Sequence, residues 1–211
     1  MQELIKYGIT IPYYNNSPLA ERAFQKLMRH LSNIKNKDCI FCIVEDGQYS
    51  DWLDDYKDDF NIIRLPENKG VSVARNTGID YLFDKVEYLG FLDSDDDIDD
   101  DYFDKMVALC NGENEVVKAK MFKHNHFNNS MIDITERVSV NGYAYRKDII
   151  GDLRFQEGVQ LGEDNIFNDA LGVVGNTNPK PQEILCDTKY IYEFGANDQS
   201  LIVTAIRNSQ M

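Results

Sequence analysis

The chain has 211 residues, 43% of them hydrophobic and 27% charged, a globular composition with enough apolar side chains for one sizeable core. Its formal net charge of −14 argues against wrapping nucleic acid by phosphate neutralisation, which needs a basic surface, and leaves room only for a local basic patch. No apolar run approaches the roughly 20 residues of a membrane span, and the opening Met-Gln-Glu-Leu-Ile-Lys lacks the apolar core of a signal peptide, so the expected compartment is cytoplasmic.

Tyr7 to Ile11 is β-branched and aromatic and stops at Pro12, which predicts a strand running into the loop Pro-Tyr-Tyr-Asn-Asn. Ser17 and Pro18 then supply an N-cap and a first-turn proline, and Phe24, Leu27, Met28, Leu31 and Ile34 recur at helical spacing. Cys39 to Val44 is a continuous apolar run, the pattern of a strand covered on both faces, and it ends in Glu45-Asp46-Gly47. Cys39 and Cys42 are three apart, so along a strand they point to opposite faces and do not grip one ion; with Cys110 and Cys186 they read as reduced core residues. Trp52 to Tyr56 predicts a helical turn, and Asn61 to Leu65 a third strand closed by Pro66.

Val71, Ala74, Gly78, Ile79 and Leu82 make one face of a helix over 71–83. Arg75 lies near the start of that helix, where a positive charge opposes the dipole, so it is expected to serve a ligand. Leu89 to Leu92 is a short apolar strand, and eight of the twelve residues from Asp93 to Asp104 are aspartate. A helix is expected from Asp101 to Cys110, its acidic first turn suited to the dipole. Beyond it, Val116 to Met121, Met131 to Ile134 and Val138 to Val140 read as short strands, Asn141-Gly142 as a turn, 158–162 as a loop, Glu163 to Leu171 as a helix, and Tyr190 to Phe194 as a last strand. This alternation predicts an α/β fold: a mostly parallel sheet flanked by helices, with a smaller mixed or antiparallel C-terminal region and one domain over 1–211. Ligands of such sheets bind outside the carboxyl ends of the strands, where Tyr13 to Asn16, Glu45-Asp46 and Asp93 to Asp97 fall.

The aspartates admit three readings. Asp93, Asp95, Asp97, Asp99, Asp101 and Asp104 have the spacing of an EF-hand calcium loop, but Ile98 stands where the sharp turn needs glycine, and the preceding flank is strand-like. A solvated acidic loop with a helix cap explains Asp99 to Asp104 but not carboxylates set against a buried strand end, where they repel one another unless a cation joins them. A pair spaced by one residue at a strand end, Asp93 and Asp95, can hold Mg²⁺ or Mn²⁺ and leave positions open for a diphosphate. His124 and His126 lie in a polar stretch and read as an exposed loop, because no clear third ligand accompanies them as a zinc site would require. No Gly-x-Gly-x-x-Gly follows any strand, which disfavours a dinucleotide dehydrogenase.

The order of these motifs resembles the GT-A fold glycosyltransferases of family 2: Ile-Pro-Tyr-Tyr-Asn, Val-Glu-Asp-Gly, Glu-Asn-Lys-Gly-Val-Ser-Val-Ala-Arg-Asn-Thr-Gly, Phe-Leu-Asp-Ser-Asp-Asp-Asp and Gly-Glu-Asp, over about residues 7 to 171. The resemblance implies a metal-dependent, inverting enzyme that uses a nucleotide-diphosphate sugar, UDP-linked in most relatives, with a donor-binding half over 1–110 and an acceptor-side half over 111–211. It implies that Asp46 reads the base with Pro12 and Tyr13 lining its pocket, and that Arg75 lies near the nucleotide. Asp93 and Asp95 become the DxD pair for Mn²⁺ or Mg²⁺, Asp96 can share that work, Asp164 becomes the catalytic base, and Glu163 supports it or touches the acceptor. Read alone, Glu163 and Asp164 are carboxylates favoured at a helix start. Many relatives carry a further metal-binding histidine near the C-terminal end; residues 190–211 contain none, and Asn197 or Asp198 is left to replace it. The acceptor is a glycan, a lipid-linked sugar, a protein or a modified nucleic-acid base. The alternatives are a nucleotidyltransferase of related architecture and a non-catalytic calcium-binding module.

Overall fold

A computed structural model describes residues 4–159, 161–174 and 179–194. Asn197 and Asp198 lie outside the described residues. Parallel strands β1 (Ile5–Tyr13), β2 (Cys39–Asp46), β3 (Asn61–Leu65) and β4 (Val86–Phe91) alternate with α1 (Pro18–Ile34), a 3₁₀ turn at Asp51–Tyr56 and α2 (Val71–Leu82). Then come β5 (Asp97–Ile98), α3 (Tyr102–Leu109), β6 (Val116–Asn125), β7 (Ser130–Asp133), β8 (Tyr143–Arg146), α4 (Lys147–Ile150), α5 (Glu163–Ala170) and β9 (Glu183–Phe194). All nine strands join one sheet in the order β3-β2-β1-β4-β8-β6-β9-β5, with β7 on β6. The β4–β8 and β8–β6 pairs are antiparallel and β6–β9 is parallel, so a parallel half passes into a mixed half.

β1 is buried on both faces, as a strand between helix layers must be. Tyr13 packs on Phe24 of α1 with ring centroids 4.3 Å apart, and Phe41 on Phe103 of α3 at 5.1 Å, so α1 and α3 cover one face. The other face takes α2. There a Cβ on Gly78 would stand 2.2 Å from the Thr10 methyl carbon, an approach that only glycine permits. Ser17 caps α1 as expected, its hydroxyl oxygen accepting from the Ala20 N–H at 3.1 Å.

One expected strand is missing. The strand expected over Val138 to Val140 does not form; these residues belong to an irregular connection from β7 to β8, and the pairing strand begins at Tyr143. Short β-branched runs fit a pleat, but here Ser139 and Asn141 are buried for polar contacts instead of a ladder. Nor do the aspartates form a calcium loop. Asp97 pairs with Lys26 and His30, Asp99 with Lys189, Asp100 with His30, and Asp101 with Lys105 and Thr188, so they are spread over separate partners. Among the described residues no helix is long and apolar enough to cross a membrane.

Candidate active site

The ends of β1, β2 and β4 meet the first turns of α2 and α5 around a cleft of about 860 Å³. Pro12, Tyr13, Asp46, Arg75, Asp93, Asp95, Glu163 and Asp164 all line it. Of the site residues expected from sequence that lie among the described residues, Asp96 alone does not. The parallel strands carry the first of these to one edge because each βα turn leaves on the same side of the sheet.

Arg75 is the joint of the site. It is 2% exposed, and its guanidinium donates through Nη2 to Asp93 Oδ1 at 2.9 Å and through Nη1 to Glu163 Oε1 at 2.8 Å. Burial opposes its charge, but the Asp93, Asp164 and Glu163 carboxylates around it hold the proton on. The expected ligand of Arg75 is thus in part the protein itself: from α2 the fork holds both the loop after β4 and the start of α5, the latter 88 residues away from Arg75 in the chain. The second oxygen of Asp93 accepts from Asn141 Nδ2 at 2.7 Å.

Asp46 is 3% exposed, and its two carboxylate oxygens accept from the Lys69 and Gly70 N–H groups at 2.8 Å each. It therefore anchors the loop that enters α2 while still bordering the cleft. Each oxygen keeps a lone pair for a ligand donor. Asp95 lines the cleft and is half-buried. Asp96 turns the other way. Its Oδ1 accepts from the Glu193 N–H at 3.0 Å, the Tyr190 hydroxyl bonds its Oδ2, and burial followed by the charges of Asp95 and Asp93 pushes its carboxyl well above the ordinary range. The expected share of Asp96 in metal binding finds no support in this placement, because its side chain is engaged by β9 and does not line the cleft.

Glu163 and Asp164 open α5 behind Gly162, whose φ of 88° lies in the left-handed region that favours glycine. Glu163 is buried at 8% exposure, and that burial, with Asp164 beside it, raises its carboxyl despite Arg75. Asp164 is half-buried and accepts from the Ser139 hydroxyl at 3.3 Å. Asn168 holds this loop, donating through Nδ2 to the Ser139 carbonyl at 2.8 Å, and Tyr145 donates to Asn168 Oδ1 at 2.8 Å. Sequence reasoning passed over Ser139, Asn141 and Asn168. Its one available signal was Asn141-Gly142, which it used only as a turn.

Five carboxylates of the cleft wall, Asp46, Asp93, Asp95, Glu163 and Asp164, face two guanidinium groups, Arg75 and Arg137. Arg75 is already divided between two of the five. An excess of oxygen ligands with negative charge fits a hard divalent cation such as Mg²⁺ or Mn²⁺, and Asp93 with Asp95 would hold it.

The sequence profile described as glycosyl transferase family 2 matches residues 9–161. A protein of Acanthamoeba polyphaga mimivirus named as the uncharacterized glycosyltransferase R363 is 35% identical over 107 residues, 46% of this chain and 42% of its own length. The crystal structure of S. aureus TarS 1-349 superposes with a TM-score of 0.71 at 19% identity, covering 89% of this chain and 60% of that one. The S. aureus TarS structure gives 0.71 at 17% identity over 92% and 37%. This chain thus spans less than two thirds of the length of each. The ordered motifs, the GT-A arrangement of sheet and helices, and a profile match over most of the sequence agree: the chain belongs to glycosyl transferase family 2.

Proposed function

We propose that this glycosyltransferase moves a sugar with inversion from a nucleotide-diphosphate donor, UDP-linked, to an acceptor hydroxyl. The observation that carries the reading is the Arg75 fork, which sets Asp93 of the donor loop and the Glu163-Asp164 start of α5 in one cleft. On this reading residues 1–110 bind the donor and the later half selects the acceptor. Pro12, Tyr13 and Asp46 border the end of the cleft suited to a base, where the remaining lone pairs of Asp46 would accept the imide N–H of uracil. A divalent cation held by Asp93 and Asp95 would neutralise the charge that develops on the leaving diphosphate.

Asp164 is half-buried at the cleft and makes no ion pair among the described residues, so its carboxylate is placed to meet the acceptor hydroxyl. It takes the hydroxyl proton as the acceptor oxygen attacks the anomeric carbon, and the bond from that carbon to the diphosphate oxygen breaks with its electron pair. One base and one displacement give inversion. Ser139 orients Asp164, and Glu163 keeps Arg75 in place beside it.

Asp164→Asn removes the base without changing shape, so transfer should fall by at least about 10²-fold, the usual size of a general-base contribution, with donor binding by thermal shift unchanged. Near-normal transfer by that variant would sink the reading. Product analysis separates the runner-up: a glycosyltransferase releases a nucleoside diphosphate, a nucleotidyltransferase pyrophosphate. Glycan, lipid-linked, protein and modified-base acceptors are screened with the same readout.

A further inference from the structure

We infer that His124, His126 and Glu193 form a binding site for a zinc-class divalent ion, separate from the aspartate pair of the cleft. The three ligand atoms lie within 4.8 Å of one another, the one such group of three among the described residues. Its geometry follows from strand pairing. His124 is in β6 and His126 two residues further, so both side chains leave the same face. Glu193 of β9 is the register partner of His124, and the His126 N–H still donates to the Phe194 carbonyl at 3.0 Å, which carries the pairing past the end of β6. Two imidazoles and a carboxylate therefore converge from adjacent strands, and the exposed loop expected for these histidines becomes a strand end with a third ligand.

The atoms are placed for coordination. Glu193 Oε2 lies 2.8 Å from His124 Nδ1 and 2.5 Å from His126 Nε2. Ligands of a tetrahedral zinc, each at about 2.0–2.1 Å, stand roughly 3.3 Å apart, so a small side-chain rotation admits the ion in place of the protons. His124 Nε2 faces Asn129 Oδ1 at 3.1 Å. With Nε2–H donating to Asn129, Nδ1 is the nitrogen left to bind an ion once its proton is displaced, the support that metal-binding histidines receive. Asn129 reaches it from a left-handed backbone position, φ 53°. Lys26, the one cation paired with the cluster among the described residues, sits 3.9 Å from the other oxygen, Oε1, and is held by Asp97 at 2.7 Å, so Oε2 is left for the ion. A small cavity bordered by His126 and Glu193, and reaching Asp95 and Asp96 on its other side, opens the fourth position to solvent. Imidazole nitrogen selects zinc over the magnesium or manganese that carboxylates prefer. The bound ion clasps β6 to β9, and because the Glu193 N–H also holds Asp96, it steadies the loop that carries Asp93 and Asp95.

The test is calorimetric titration of zinc chloride into the chelator-stripped full chain, with magnesium in excess to occupy the oxygen sites. One equivalent should bind and raise the melting temperature. His124→Ala and Glu193→Gln should each weaken binding at least about tenfold, the loss that even an outer partner of a ligand brings; His126→Ala, at an exposed position, carries the test if the others fold poorly. Asp95→Ala should leave zinc binding intact. No binding, equal binding by the histidine variants, or loss of zinc with Asp95→Ala would overturn the site. None of these results depends on transferase activity, so the zinc site and the proposed function stand or fall separately.

Discussion

At the scale of single residues the site is decided by where each carboxylate finds its countercharge. Arg75 gives one donor to Asp93 and another to Glu163, so neither acid has to carry an uncompensated charge next to apolar walls. Asp96 has no such partner, and β9 stabilises it by hydrogen bonds from Tyr190 and the Glu193 N–H while burial raises its carboxyl. Asparagine keeps the first bond, its carbonyl oxygen accepting from the Glu193 N–H, and replaces the second by one of opposite direction, its amide donating to the Tyr190 oxygen. Asp96→Asn should therefore keep metal-dependent nucleotide binding and a melting temperature equal to or above the parent's, whereas Asp95→Ala should lose the metal-dependent part. A thermal-shift series with UDP and Mn²⁺ reads both, and loss of binding in Asp96→Asn would return that residue to the metal. The sequence pattern placed Asp93 and Asp95 at a ligand-binding edge because strand ends are readable from periodicity, whereas Asp164 read alone was a helix-start carboxylate and gained a site role only from the family resemblance. It could not show that Asp96 turns inward, since that depends on Tyr190, 94 residues away.

Among the elements, α2 has the most exacting seat. It lies against β1 at Gly78 and delivers Arg75 from the same helix to the ends of β1 and β4. A methyl group at position 78 would meet Thr10 Cβ at 2.8 Å as well as its methyl carbon, and a β-branched side chain in a buried strand has no other rotamer to escape to. Alanine improves helix propensity by about 1 kcal/mol, but overpacking costs typically about 1–3 kcal/mol, so packing wins. Gly78→Ala should lower stability by about 1 kcal/mol and reduce transfer by shifting Arg75, measured by urea denaturation beside a rate assay. A gain in stability would show that the helix rides freely on the sheet. The parallel half was legible because its strands are buried runs separated by a patterned helix. The mixed half was legible in its elements but not in its pairing: β8, four residues long, was missed, and the β6–β9 pairing is interrupted at Ala119/Lys120, so its register depends on contacts distant in sequence.

At the scale of the whole molecule, charge acts at two ranges that separate experimentally. The net charge of −14 repels an anionic donor from every side, but salt screens such repulsion beyond about 8 Å at physiological ionic strength. The five carboxylates of the cleft stand among the groups that would touch the donor, with Arg75 neutralised between two of them, and screening reaches them little. On the proposed reading, a diphosphate added there is held by a cation in contact. Removing divalent ions with a chelator should therefore abolish the rise in melting temperature that UDP gives with Mn²⁺, and high salt should not restore it. Restoration by salt would assign the metal effect to the overall charge, and a full shift in chelator would mean that Arg75 and Arg137 suffice to hold the diphosphate. Loss at both low and high salt is the outcome that places the cation between the aspartate pair and the donor.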